Sequence, residues 1–196
     1  MNAETGPAGY LAEFCRALQR AEVTTLEGQS VPLDEGIGRL IATLAALKAA
    51  GGKALLIGNG GSAAIVSHLH NDLCKAVGMR AMVFHETSLL TAVANDDGYH
   101  DVFRRPVDLW ADRGDVLIAV SSSGESENIV KAASLAKEKG CRVVTLTGFA
   151  PTNRLRRMGD VNIYVPSSAY GYVEMAHSVI AHCVTDLVVM RAAVSV

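Results

Sequence analysis

The sequence lacks an excess of charge of either sign. Its 18 lysines and arginines are balanced by 20 aspartates and glutamates, and the most basic group is the short cluster Arg154, Arg156 and Arg157. Proteins that bind nucleic acid usually carry a basic patch that neutralises phosphates, so this balance argues against a nucleic-acid partner. Apolar residues make up 49% and charged residues 19% of the chain, which is typical of a well-buried folded protein rather than a disordered one.

Long hydrophobic runs and paired cysteine motifs are also missing. The longest apolar stretches, such as DVLIAV at 115–120, have the length of strands, whereas a membrane-spanning helix needs about 20 apolar residues. The four cysteines lie far apart without a CxxC motif, which is typical of reduced thiols. The acidic start MNAETGPAGYLAEF has neither the basic region nor the apolar core of a signal peptide. We therefore expect a cytoplasmic protein with no membrane span.

Short aliphatic segments alternate with helical patterns along the chain. The predicted strands are 53–58, 80–85, 115–120, 142–147 and 161–165. The predicted helices are 8–22, 34–50, 62–77, 125–140 and a final apolar segment from 169 onward. Near-continuous apolarity is typical of parallel strands that are covered on both faces. The alternation predicts one α/β domain over 1–196, with a doubly wound, flavodoxin-like, five-stranded parallel sheet flanked by helices and an N-terminal helical extension over about 1–50.

Two loops rich in glycine and serine each follow a predicted strand and begin a predicted helix. GNGGS (58–62) matches neither GxGxxG nor GxxxxGK[ST], which argues against dinucleotide and Walker-type nucleotide sites. SSSGES (121–126) offers serine hydroxyls and free backbone N–H groups, which together can hold a phosphate without lysine or arginine. Either loop alone is compatible with a tight turn or a helix cap. Because parallel strands end at the same sheet edge, the two together predict a phosphate site.

Two helices carry metal-capable side chains at helical spacing. His68 and Asp72 are four residues apart on the helix after GNGGS, so they share one face. Glu174 and His182 are eight residues apart on the last helix and share one stripe. A single histidine on an apolar helix is usually a core residue, but four such side chains on two helices favour a metal site.

GNGGS, LLTAVANDDGY (89–99), GDVLIAVSSSGES (114–126) and TLTG (145–148) together resemble the sugar isomerase (SIS) domain family and, within it, the phosphoheptose isomerases. The resemblance covers about residues 34–190. It implies isomerisation of sedoheptulose 7-phosphate to D-glycero-D-manno-heptose 7-phosphate by a homotetramer whose active sites lie at subunit interfaces. It implies that the phosphosugar is held by Asn59, Gly60, Gly61, Ser62, Ser121, Ser122, Ser123, Ser126 and Glu174. Asn95 and Asp96 match a pair that lies near the sugar in this family.

The same resemblance implies Zn²⁺ or a similar divalent metal, bound by His68, Asp72, Glu174 and His182, with His177 as an inner histidine of the last helix. We expect Asp72 to be the catalytic base and His182 the acid in a proton transfer between C1 and C2 through an enediol. The sequence departs from the family pattern at three positions. Asp72 replaces a glutamate, Glu174 replaces a glutamine, and Ala76 stands where the family has an arginine.

Two other functions remain open at this point. The three departures are compatible with isomerisation of another seven- or eight-carbon ketose phosphate in a specialised pathway. A non-catalytic, phosphosugar-binding SIS regulator is the second alternative, similar to the tetrameric regulators of replication initiation. Those regulators lack the final histidine of the metal site, so the presence of His182 favours an enzyme.

Overall fold

The computed structural model describes residues 6–194; residues 1–5 and 195–196 of the predicted domain lie outside the described residues. Its strands are β1 (Glu22–Thr25), β2 (Ser30–Val31), β3 (Lys53–Gly58), β4 (Arg80–Val83), β5 (Val116–Ser121), β6 (Arg142–Thr147) and β7 (Val161–Tyr164). Its α-helices are α1 (Pro7–Gln19), α2 (Leu33–Ala49), α3 (Gly60–Asp72), α4 (Thr87–Asp96), α5 (Arg104–Trp110), α6 (Glu127–Glu138) and α7 (Tyr170–Val194). A π-helical turn at Leu73–Val77 continues α3.

The strands form one mixed sheet in the order β2-β1-β7-β6-β5-β3-β4. Strands β3 to β7 are parallel and coincide with the five predicted segments, which confirms the α/β class. The prediction of a wholly parallel, five-stranded sheet is not confirmed, because β1 and β2 form a hairpin and β1 pairs antiparallel with β7. These two strands have four and two residues, which is too short for a periodic signal in the sequence.

Alternate residues of the central strands point into two separate cores. Leu56 of β3 and Ile118 of β5 face one core with α2, α3 and α7, whereas Leu55 and Leu117 face the other with α5 and α6. All four side chains are at most 2% exposed. Full burial of one such side chain stabilises the fold by about 1.5–3 kcal/mol, so both sheet faces must be covered. The two helical layers place α3 and α6 on opposite faces of the sheet.

Helix α7 contains a longer apolar segment than the sequence analysis allowed for. By length and composition alone, its 22 residues Tyr170–Arg191 are sufficient to cross a membrane. Val173, Ala176 and Ile180 nevertheless pack into the same core as α2 and α3, and 44% of the most apolar part of this helix is buried inside the protein. Burial in the core therefore accounts for part of its apolar character. Its other face exposes Met175, which is 55% exposed.

Candidate functional site

The GNGGS and SSSGES loops lie side by side at the carboxyl end of the sheet. Gly58 at the end of β3 pairs with Val120 of β5, so Asn59 and Ser121 continue from adjacent strands. Ligands of doubly wound folds bind at such an edge, where helices leave toward opposite faces. A cavity of about 270 Å³ opens there. It is lined by Asn59, Gly60, Gly61, Ser62, Ser121, Ser122, Ser123, Ser126, Tyr170 and Glu174.

The local backbone leaves hydrogen-bond donors available in this cavity. Asn59 and Ser126 occupy the N-cap positions of α3 and α6, yet neither side chain accepts a hydrogen bond from its own helix. Since the N–H groups of a first helical turn have no partner within the helix, both helix starts can donate to an anion. Gly124 turns the serine loop with a φ of +65°, and a Cβ there would lie only 2.0 Å from Asn153 Oδ1. A side chain at position 124 would therefore disrupt the loop.

The cavity has no cationic side chain among the residues that line it in the described chain. It does contain the carboxylate of Glu174, which lies directly against Gly61. A Cβ on Gly61 would be 2.4 Å from Glu174 Oε2, so any other residue at this position would displace the carboxylate from where it lies. The sequence predicts Glu174 to be both a substrate contact and a metal ligand, and the structure places it in the loop cavity.

Three of the four predicted metal ligands lie close together outside the loops. One nitrogen or oxygen atom each from His68, Asp72 and His182 lies within 4.8 Å of the other two. Asp72 Oδ2 is 3.5 Å from His68 Nε2 and 3.5 Å from His182 Nδ1. The two imidazole rings are 4.7 Å apart. Glu174 is not a member of this cluster within residues 6–194. We call these three residues the histidine cluster.

The donor set of the histidine cluster fits a zinc ion. Zinc binds histidine nitrogen and carboxylate oxygen, and catalytic zinc sites have three protein ligands and one open position. The helices supply this set because His68 and Asp72 are one turn apart on α3, while α7 packs against α3 and presents His182. The cluster is open to solvent, since the side chains of His68 and His182 are 55% and 48% exposed. Asp72 is more enclosed, at 18%.

Asn95 and Asp96 lie at the end of α4 rather than in the cavity lining. Both are exposed, and Asn95 Nδ2 donates to Asp96 Oδ1 at 2.8 Å. Their segment is nevertheless connected to the cavity, because the hydroxyl of Tyr99 donates to Asn59 Oδ1 at 3.0 Å. No sequence pattern predicts this role of Tyr99.

Asn128 and Tyr170 are two further residues at the cavity that the sequence does not predict. Asn128 is buried near the start of α6 and forms a hydrogen-bonded amide pair with Asn59. Tyr170 lines the cavity at the start of α7, and its ring packs edge-on against Phe149, a residue held at a φ of +57°. No motif marks either residue, although Asn128 lies only two positions after the serine loop.

His177 of α7 is completely buried, with its side chain against the end of β6. Its Nε2 donates to the carbonyl oxygen of Thr147 at 3.1 Å. Burial lowers the pKa of His177 from 6.5 to about 4, so the imidazole is neutral at physiological pH. Thr147 leads into Gly148, whose N–H donates to the carbonyl of Ser122. His177 therefore connects α7 to the serine loop.

Comparison with known proteins agrees with this geometry. Residues 16–148 match the model of the SIS domain family. The phosphoheptose isomerase of Geobacter sulfurreducens is 37% identical over 178 residues, covering 88% of this chain and 94% of that protein. The chain belongs to the SIS domain family, among its phosphoheptose isomerases. As a member of this group it is a phosphosugar isomerase.

Solved structures support the same assignment. The phosphoheptose isomerase of Neisseria gonorrhoeae superposes with a TM-score of 0.82 at 30% identity, covering 92% of this chain and 95% of that one. The Vibrio vulnificus NanR protein, solved in complex with ManNAc-6P, has a TM-score of 0.63 and 16% identity. It covers 92% of this chain and 59% of NanR, and it shares the fold alone. The fold of this chain is thus present both in a phosphoheptose isomerase and in the NanR protein.

Proposed function

We propose that this phosphosugar isomerase converts sedoheptulose 7-phosphate to D-glycero-D-manno-heptose 7-phosphate. We call the cavity between the GNGGS and SSSGES loops the anion cavity. The observation that carries the proposal is that the anion cavity and the histidine cluster lie along the same helix, α3. Ser62 lies at the cavity and His68 six residues further along α3, or about 9 Å at 1.5 Å per residue. A seven-carbon sugar whose phosphate occupies the cavity can extend its reacting end along α3 toward the cluster.

Asp72 is the proposed base and His182 the proposed acid. Isomerisation removes a proton from C1 of the ketose, gives an enediol and returns a proton to C2, while protons move between the two oxygens. Asp72 Oδ2 lies 3.5 Å from His182 Nδ1, so a carboxylate and an imidazole can act on the same two carbons and their oxygens. His68, Asp72 and His182 would hold Zn²⁺, which polarises carbonyl and hydroxyl oxygens when bound. The resemblance to the family makes Glu174 a proposed fourth ligand.

The two loops supply binding energy remote from the reacting carbons. Backbone N–H groups of both helix starts and the hydroxyls of Ser121, Ser123 and Ser126 hold the phosphate. Binding of a non-reacting group restrains the carbons next to the base, which accelerates the reaction. We propose that Asn95 and Asp96 contact the sugar at the edge of the cavity, because Tyr99 connects their segment to Asn59. This use of the phosphate requires no lysine or arginine in the cavity.

The histidine cluster further supports a homo-oligomer, which we propose to be a tetramer with active sites between subunits. His68 and His182 are half exposed, and the exposed apolar side chains of Met175 and Val179 share the stripe of α7 that carries His182. A second copy on this surface would bury the apolar groups and exclude water from the enediol.

We also propose a cytoplasmic location. The chain is proposed to form one domain, in which the five parallel strands have a doubly wound, flavodoxin-like arrangement.

A second candidate, favoured by Glu174, is an isomerase of a different seven- or eight-carbon ketose phosphate. Its carboxylate lies against Gly61 in the lining of the loop cavity, where it can contact sugar hydroxyls next to the phosphate. A carboxylate accepts hydrogen bonds from hydroxyls but donates none, so the order of hydroxyls on the sugar would matter.

A panel of six-, seven- and eight-carbon ketose phosphates, incubated with the zinc-loaded protein and followed by NMR, tests the proposal. We expect the highest kcat/KM for sedoheptulose 7-phosphate. A higher value for another ketose phosphate would establish the second candidate. If the folded, zinc-loaded protein converts none of these sugars, neither sedoheptulose 7-phosphate nor another ketose phosphate of the panel is its substrate.

A further inference from the structure

Asn59 stands at the start of α3 but does not cap it. An asparagine at the N-cap position normally accepts a hydrogen bond from the second or third N–H of its helix. Here the side chain makes no such bond and is directed to two other residues. Its Nδ2 donates to Asn128 Oδ1 at 3.0 Å, and its Oδ1 accepts from Asn128 Nδ2 at 2.9 Å and from the hydroxyl of Tyr99 at 3.0 Å.

Asn128 is well placed to fix the position of Asn59. It is only 3% exposed, and its Oδ1 also accepts the N–H of Ile129 at 3.0 Å, which holds the amide in one orientation. It lies in the first turn of α6, which follows the serine loop on the opposite face of the sheet from α3. The reciprocal amide pair thus joins the starts of the two helices that border the anion cavity.

We propose that Asn128 is a positioning residue for the substrate's phosphate, acting through Asn59. It sets the separation of the two helix starts and keeps the Asn59 side chain away from the N–H groups of α3. Without Asn128, the Asn59 side chain is free to cap its own helix and to occupy donors that the phosphate needs. Tyr99 supports the same arrangement from the Asn95–Asp96 segment. The inference rests on the proposed function, because it requires a phosphorylated ligand in this cavity.

The test compares Asn128→Leu and Tyr99→Phe with the wild type. Leucine is close to asparagine in size and removes both hydrogen bonds to the Asn59 side chain, while phenylalanine removes only the Tyr99 hydroxyl. Ser134→Ala on the exposed side of α6 is the matched control, since Ser134 bonds only to Glu138 among the contacts of the described chain. The measurements are kcat and KM for sedoheptulose 7-phosphate, the inhibition constant of inorganic phosphate, and the rise in thermal unfolding temperature that phosphate produces.

We expect Asn128→Leu to raise both the KM and the phosphate inhibition constant about tenfold, the effect of losing one hydrogen bond to the phosphate, while kcat changes by less than about threefold. Tyr99→Phe should shift both constants in the same direction by about two- to threefold. A purely structural role would lower the unfolding temperature without weakening phosphate binding in the protein that remains folded. Ser134→Ala should leave every value unchanged.

An unchanged phosphate inhibition constant in folded Asn128→Leu would overturn the proposal. If that variant does not fold, Asn128→Ser carries the test, because serine is compatible with a helix start but cannot reproduce the amide pair. Phosphate binding also separates this inference from the proposed function. If the wild type binds inorganic phosphate but converts no ketose phosphate, the proposed function fails, and the thermal shift alone still decides the role of Asn128.

Discussion

The anion cavity and the histidine cluster lie along the same helix but are built differently. The cavity is formed by backbone N–H groups and short polar side chains, and Asn128 and Asn59 organise it within one chain. The cluster is formed by side chains of α3 and α7, and both of its histidines are about half exposed. The difference indicates that the cavity is organised within one chain before any ligand binds. The proposed function, in contrast, requires a metal and a covering surface at the histidine cluster.

Substitution of the proposed base should give the largest effect. Asp72→Asn keeps the size of the side chain but removes its ability to accept a proton, so we expect kcat to fall about a thousandfold, within the range of general base catalysis. The inhibition constant of inorganic phosphate should not change, because the cavity is separate. Asp34→Asn, at the exposed start of α2, is the control for loss of one negative charge. A kcat for Asp72→Asn within threefold of wild type would exclude Asp72 as the base.

His177 links the two regions, and its titration should affect stability. Burial lowers its pKa to about 4, whereas the unfolded chain has an ordinary value of 6.5. The unfolded state therefore takes up a proton first as the pH falls. The stabilisation is fully present above pH 6.5 and is lost as the pH decreases toward 4. The loss between these two pH values is about 3 kcal/mol.

Urea unfolding of wild type and His177→Gln at pH 7 and pH 4 measures this effect. Glutamine can still donate to the carbonyl of Thr147 but does not titrate, so the wild type should lose about 3 kcal/mol more than the variant between the two pH values. Carboxylates titrate in the same range in both proteins, and their contribution cancels in the difference. Parallel losses in the two proteins would show that His177 does not titrate as its burial requires.

Measurement of zinc affinity tests the histidine cluster directly. Loss of residues that only support a metal ligand weakens affinity 10–100-fold, so loss of a direct ligand in His68→Ala should reach the upper end, about a hundredfold. Competition with a zinc-binding dye gives the affinity, and His100→Ala provides a histidine control outside the cluster. Equal zinc affinity in His68→Ala and wild type would mean that the ion binds elsewhere.

Gly61→Ala should give the smallest effect and tests the boundary between the two regions. The new Cβ would lie within 2.5 Å of the Glu174 carboxylate, which is the flexible end of its side chain and can move. We therefore expect little change in unfolding temperature but a rise in KM of about tenfold, because the added methyl and the displaced carboxylate both alter the cavity. Ala64→Gly on the exposed side of α3 serves as a backbone control. An unchanged KM would place the sugar away from Gly61.

Residues on regular elements could be predicted from the sequence because local periodicity determines their direction. The i,i+4 spacing of His68 and Asp72 predicts a shared face, and the structure has it. The two loops were predictable for a similar reason, since each follows a buried strand of a parallel sheet. The β1–β2 hairpin was not, because its strands are too short and its pairing with β7 is a long-range contact.

Side-chain contacts between distant segments could not be predicted from the sequence where no motif marks the residues. Asn59 and Asn128 are 69 residues apart, and only the sheet order places the starts of their helices next to each other. The position of Glu174 depends on the space above Gly61, which no spacing rule reveals. Both residues at the end of α4, Asn95 and Asp96, match a motif but are directed by local chain geometry toward the surface.

Incubation of the zinc-loaded protein with sedoheptulose 7-phosphate in D₂O, followed by NMR, tests directly whether the protein isomerises this sugar through an enediol. We expect an aldose product that carries deuterium at C2, formed about a thousandfold more slowly by Asp72→Asn and inhibited by inorganic phosphate. An aldose formed without any deuterium at C2 would contradict proton transfer by a base that exchanges with solvent. Wild-type protein that gives neither aldose nor exchange would contradict the assignment of this sugar.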